Sequence, residues 1–235
     1  MERVEQGVRM RTIDVEGLFN VRSIAGPAPW LIRAGAPKGL TFTGAATLRG
    51  LGLSTILDLR EPSERSGEPA DRPPHGFAVR SVPLYGTPPP QTGRLEDIYE
   101  RLLRERGTAL AEAVAVIASA ERSVLVHCTA GKDRTGLVVA LARLAAGAHR
   151  EDVVADYEMS GIAVRPLRRD HAHAMAVGIP AAERDEVLRL HLDSPAEALW
   201  HALGVVDESG GTAVYLRTHG MGERELTALR RKGAA

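Results

Sequence analysis

One cysteine occurs in the 235 residues, and it sits between an apolar run and a helix-forming run. Residues 123–136 read SVLVHCTAGKDRTG, so a strand ending at His127 passes through a loop from Cys128 to Arg134 into a helix. A loop wrapped on a helix N-terminus aims successive backbone N–H groups at one point, and the helix dipole adds positive potential there. That arrangement suits a tetrahedral oxyanion held by Thr129, Ala130, Gly131, Lys132, Asp133 and Arg134. The same field stabilises a sulfur anion, so Cys128 is expected to be a nucleophile near neutral pH. Arg134, in the first helical turn, has the planar fork that meets two oxygens at once, which Lys cannot do. The chemistry implied is transfer of a phosphoryl group to sulfur, with the amides and Arg134 meeting the charge that develops on the equatorial oxygens.

Neighbouring residues complete the expectation. His127 should fix the loop from behind, and the Thr135 hydroxyl should serve the sulfur or the hydrolysis of the thiophosphate intermediate. Gly131 supplies positive φ where the loop turns. Expelling an alkoxide or phenoxide needs a proton donor, and two carboxylates qualify. Asp133 lies within the loop. Asp58 ends a strand in the stretch DLR, where it either faces the crevice at the strand ends or pairs with Arg60 or the Arg134 region. Lys132 is either a second cation for the oxyanion, favouring multiply phosphorylated substrates, or a solvated side chain. Arg33 and Arg60 are expected in surface or strand-end ion pairs, with the rim of the site as the alternative. His171 and His173 form an HxH pair without companions, so no metal and no cofactor are expected.

Short apolar runs at 30–33, 55–59, 78–83 and 123–127 read as strands. Between the third and fourth, residues 95–120 carry apolar positions at helical spacing, broken at Gly107, which predicts one or two crossover helices. Residues 135–146 suit a buried helix closed by Gly147, and 151–160, 181–192 and 195–203 continue a helical second half. The pattern weakens between Gly161 and Pro180, which predicts a mobile connection, part of a lid-like insert over 161–190. The proline-rich stretch 84–90 reads as a stiff surface loop, and 212–232 as two short helical pieces.

Thirty basic and thirty acidic residues cancel, so no global field draws nucleic acid or an anionic membrane, and an anion site must be built locally. A lone cysteine excludes an internal disulfide and fits a reducing compartment. The N-terminal stretch MERVEQGVRMRTIDVEG has no apolar leader segment, and no apolar run approaches spanning length, so no integral membrane association and a cytoplasmic location are expected.

HCTAGKDRTG resembles the active-site loop of the protein tyrosine phosphatase superfamily, in the version carried by bacterial tyrosine/lipid phosphatases. FNVR at 19–22, LIRAG at 31–35, TILDLR at 55–60, DYEMS at 156–160 and AVYLR at 213–217 resemble further landmarks of that group, in order. Arg22-Ser23-Ile24-Ala25-Gly26 departs from it where an Asp commonly follows the Arg. The resemblance implies one α/β phosphatase domain over 1–235, with a mostly parallel four- to five-stranded sheet flanked by helices. It implies Cys128 as nucleophile, Arg134 as clamp and Asp133 as acid. The substrates it implies are phosphotyrosine proteins or phosphoinositides; the alternative is a small phosphate ester such as a nucleotide or sugar phosphate. A rhodanese-like sulfurtransferase also places a cysteine loop above a helix, but the Arg134-Thr135 ending argues against it.

Overall fold

Alternation of apolar residues along three central strands divides the core between the two faces of one sheet. In the computed structural model, which describes residues 9–65 and 74–234, the strands are β1 (Met10–Thr12), β2 (Arg22–Ile24), β3 (Leu31–Ala34), β4 (Leu53–Asp58), β5 (Ala78–Ser81) and β6 (Ser123–His127). Their order is β1-β2-β3-β6-β4-β5. The pairs β3/β6, β6/β4 and β4/β5 are parallel, while β1/β2 and β2/β3 are antiparallel. Ile32, Ile56 and Leu125 meet Leu48 and Phe77 on one face, whereas Leu31, Leu57, Val124 and Val126 join the larger core on the other. The mostly parallel α/β sheet agrees with expectation, with six strands in place of four to five. The extra pair, β1 and β2, is only three residues per strand and largely polar, so neither shows a readable period of two.

The smaller core is covered by α1 (Phe42–Gly50), whose N-cap Thr41 accepts a hydrogen bond from the Gly44 amide at 3.0 Å. On the other face lie α2 (Leu95–Glu105) and α3 (Gly107–Ser119), separated at Arg106 as the break at Gly107 predicts. They are followed by α4 (Asp133–Ala145), α5 (Arg150–Met175), α6 (Ala181–Leu192), α7 (Ala196–Glu208), α8 (Thr212–Thr218) and α9 (Glu223–Ala234). Leu216, Leu226 and Leu229 of the last two helices are buried in the larger core. No helix among the described residues is long and apolar enough to cross a membrane. Residues 1–8 of the N-terminal stretch lie outside the described residues.

One expected feature is corrected. Residues 161–175 are not a connection but the second half of α5, which continues through Pro166 to Met175. A proline removes a backbone donor and ordinarily breaks a helix. Only Gly161, Val164 and Ala172 of this half are buried, so the sequence there carries no apolar stripe. Packing against α6 supplies the support that local propensity lacks.

A buried ion cluster joins the sheet to α5. Asp156 Oδ1 accepts from Arg22 Nε at 2.5 Å and its Oδ2 from Arg33 Nη1 at 2.6 Å, while Arg143 Nη1 lies 4.0 Å away. Ser160 Oγ accepts from both Arg22 and Arg33. Burial and then the neighbouring Arg33 lower the Arg22 pKa to about 10, against the pull of Asp156. For Asp156, burial favours the neutral acid, but Arg33, Arg22 and Arg143 outweigh it and hold the carboxyl below its ordinary value. Removing one partner of such a cluster leaves buried charge uncompensated. Asp156→Asn is therefore expected to lose roughly 3 kcal/mol or more of stability, measured by urea unfolding; a change below about 1 kcal/mol would mean the arginines find other partners.

Candidate active site

Parallel pairing brings Ala34, His127 and Asp58 into one row across the sheet, because Ala34 and Asp58 both pair with His127. The loop from Cys128 therefore starts at the carboxyl ends of three adjacent parallel strands, the edge of such sheets where ligands bind. Its carbonyls are all held from outside. The Cys128 carbonyl lies 3.1 Å from His127 Nδ1, and the Thr129 carbonyl accepts from the Ala36 amide at 3.1 Å. Asn20 Nδ2 donates to the carbonyls of Ala130 and Gly131, both at 3.0 Å, and Arg33 Nη2 adds a 2.8 Å bond to Gly131. A trans peptide carries its N–H opposite its C=O. Four anchored carbonyls thus turn the amides of Thr129, Ala130, Gly131 and Lys132 away from the supporting scaffold. Asn20 adopts a left-handed φ of 56° to reach this position.

Gly131 has φ +67°, and a Cβ there would stand 2.2 Å from the Ala34 carbonyl oxygen. Both the backbone angle and the close approach require glycine. At the loop's end, Asp133 is the first residue of α4, and Arg134 and Thr135 follow in its first turn. Cys128, Arg134 and Thr135 are all buried. The Thr135 hydroxyl has no hydrogen-bond partner among the described residues.

Arg134 is held by a residue that sequence reasoning missed. Its Nη1 and Nη2 donate to Glu64 Oε2 and Oε1 at 2.5 and 2.8 Å, its Nη1 also approaches the Leu59 carbonyl, and the guanidinium lies 4.9 Å from the Tyr85 ring centre. Glu64 also accepts from the Thr129 hydroxyl. Burial opposes ionisation of Glu64, but the bonds and charge of Arg134, followed by Thr129, hold its pKa at about 2. Because Glu64 takes the end-on fork, the edge formed by Nε and the second Nη2 hydrogen stays available to an oxyanion. Glu64 sits in a 3₁₀ turn, Pro62–Arg65, with no local signature of this pairing.

Lys132 takes neither expected role. It is buried, and its Nζ donates to the carbonyls of Leu190 at 3.0 Å and Asp193 at 2.5 Å, with Asp133 Oδ1 at 2.9 Å. It thereby meets free carbonyls at the C-terminal end of α6, where positive charge is favoured. Asp133 Oδ1 also accepts from the Tyr99 hydroxyl at 2.6 Å, and Tyr99 is bonded to Tyr157 at 2.7 Å. One carboxylate oxygen is fixed on both sides, and Asp133 is among the residues that line the cavity.

Asp58 is a different case. It accepts three bonds from the Arg60 side chain, at 2.8 to 3.2 Å, and one from the Arg60 amide. Burial favours its neutral form, yet Arg60 and then His127 outweigh that and keep it below the ordinary carboxylate range. Neither Asp58 nor Arg60 lines the cavity, and Arg33 lies behind the loop, so of these three none reaches the rim. His127 is buried, with Nε2 3.8 Å from Asp58 Oδ1.

The cavity above Cys128 has a volume of about 300 Å³. The loop lines it together with Glu64. Tyr85, Pro89, Pro90 and Gln91 contribute from the segment around the proline-rich stretch, and Arg168, His171, Leu190 and His191 from α5 and α6, with His191 Nε2 3.1 Å from the Gln91 carbonyl. Among the described residues no group of three or more His, Cys, Asp or Glu could hold a metal ion.

A cysteine loop on a helix N-terminus, closed by a buried arginine at the edge of a parallel sheet, defines a phosphatase of the cysteine-loop class. A model described as the tyrosine phosphatase family matches residues 13–233, and the chain belongs to that family. It is similar to the triple specificity protein phosphatase PtpB of Mycobacterium tuberculosis, 29% identical over 272 aligned positions that cover 94% of this chain and 98% of the relative. It is also similar to a tyrosine-protein phosphatase of Nostoc commune, 25% identical over 226 positions, covering 89% and 76%. Family membership displaces the sulfurtransferase alternative and makes a phosphate ester the substrate.

The Glu64 pairing has a pH signature. A carboxyl whose pKa is depressed on folding contributes stability above its unfolded value, here 4.5, and that contribution is lost as pH falls through the folded value of about 2. Glu64→Gln should therefore flatten the decline of unfolding free energy between pH 5 and pH 2.5 relative to the parent protein. Parallel curves in the two proteins would show that the ion pair does not hold in solution.

Proposed function

We propose that this protein hydrolyses phosphomonoesters through a thiophosphate on Cys128, with the whole chain acting as one phosphatase domain. The observation that carries the reading is the set of four anchored carbonyls at 128–131, which turns the intervening amides away from the scaffold that holds them. An oxyanion there would receive those amides, the α4 N-terminus and the free edge of the Arg134 guanidinium. Sulfur attacks phosphorus in line, the P–O ester bond breaks, and the leaving oxygen takes a proton from Asp133. Water then attacks phosphorus, gives its proton to Asp133 and displaces the sulfur, releasing inorganic phosphate.

Asp133 is favoured over Asp58 because it lines the cavity and holds only Oδ1 in bonds to Tyr99 and Lys132, leaving Oδ2 for the proton. Thr135 is the supporting hydroxyl: buried and unpartnered, it is available to donate to the sulfur as P–S cleavage restores its charge. His127 holds the loop at the Cys128 carbonyl. The names of the relatives point to tyrosine-phosphorylated and related substrates, and phosphotyrosine proteins or phosphoinositides are the substrates proposed.

Cys128→Ser is expected to lower kcat by more than about a thousandfold while the protein still binds vanadate or a phosphotyrosine peptide. Arg134→Ala should damage both binding and turnover. Retained turnover in Cys128→Ser would refute the covalent route. Asp133→Asn should cost about a hundredfold with phenyl phosphate, whose leaving group needs a proton, and under about ten-fold with 4-nitrophenyl phosphate. A uniform loss across the two esters would remove Asp133 as the acid.

A further inference from the structure

We infer that the substrate of this site carries a second anionic group, and that Arg168 on α5 binds it. The inference rests on the phosphatase reading above and adds what else the ligand must contain. Arg168 lines the same cavity as the Cys128 loop, and it is half-buried. Among the described residues no hydrogen bond or ion pair holds its guanidinium. An arginine partly removed from water without a carboxylate on its fork is poorly compensated, and burial accordingly lowers its pKa.

The other charges in the cavity are already committed. Glu64 is bound by Arg134, and Asp133 by Lys132 and Tyr99. Lys132 is turned onto the α6 carbonyls, so it cannot serve as the second cation that the loop sequence suggests. Arg165, one turn earlier on α5, pairs with Asp193. His171 and His191, which also line the cavity, pack edge to face at 5.4 Å. Burial lowers the pKa of both rings, with Arg168 adding to the effect, which leaves them neutral at physiological pH. Among the described residues that line the cavity, Arg168 is therefore the cation outside the loop with an open fork. A planar guanidinium in that state matches a phosphate or carboxylate bidentately. A cavity of about 300 Å³ places that group on the same small scaffold as the scissile phosphate.

The test compares one pair of esters in two proteins, so that differences in leaving group cancel. The esters are phenyl phosphate and a phenylene bisphosphate, used as its 1,3 and 1,4 isomers. The parent protein is expected to favour at least one bisphosphate in kcat/KM. Arg168→Gln should reduce that preference by about ten-fold or more, the range for a charge-assisted contact. Arg168→Lys should recover part of it, and it also serves as the readout if the Gln variant does not fold. A preference equal in parent and variants, or a parent indifferent to the second phosphate, would overturn the inference. Failure of the parent to hydrolyse phenyl phosphate would instead sink the phosphatase reading itself, so the two failures are told apart by the single-phosphate arm.

Discussion

A peptide unit that turns its carbonyl toward one partner must turn its N–H the other way, and the active-site loop is built on that constraint. Holding four consecutive carbonyls outward needs donors from four places in the chain: the His127 ring, the Ala36 amide, the Asn20 amide side chain and the Arg33 guanidinium. None of these alone shapes the loop. Asn20 must take a left-handed conformation, and Arg33 must be held against Asp156 and Ser160 before it can reach Gly131. The ion cluster between β2, β3 and α5 thus supports the loop through Arg33, although no member of it lines the cavity. Its internal charge excess, three arginines around one aspartate, suits a structure whose adjoining loop must favour anions.

Charge placement within the cavity follows from how few donors each side chain can share. Arg134 has five N–H bonds, so Glu64 can orient it from one edge without closing the other. Tyr85 stacks on the same guanidinium and limits its swing, and burial raises the tyrosine's own pKa, keeping it a neutral neighbour. Lys132 has a single nitrogen on a flexible stem, and the free carbonyls at the end of α6 capture it. That capture ties the loop to α6. It also takes Lys132 out of the role of second cation that the sequence left open.

Much of the architecture is legible from local pattern. The runs at 30–33, 55–59, 78–83 and 123–127 are apolar stretches bounded by turn formers or charges, and each overlaps a strand of the sheet. The break at Gly107 separates α2 from α3, and Gly147 follows α4 with φ +98°. β1 and β2 escape because three residues, only one of them apolar in each strand, show no period. The second half of α5 escapes because its face is mostly exposed and contains Pro166. The proline-rich segment is a loop as expected, yet it lines the cavity, which composition does not reveal.

The sequence by itself carries the case for the chemistry proposed for the loop: a thiol, five residues and an arginine are contiguous, and a strand on one side with a helix on the other leaves little choice of geometry. It also places a glycine where the loop turns, and the structure adds the close approach to Ala34. Only the tertiary structure decided how the charges pair. Glu64 reaches Arg134, Asp58 is closed by Arg60, Lys132 leaves for α6, and Arg168 is brought to the cavity from a helix that sequence reads as a connection. Most of these outcomes join residues far apart in the chain, and a side-chain charge has no periodicity to betray its partner. Backbone form follows from neighbours in sequence, whereas electrostatic pairing follows from neighbours in space.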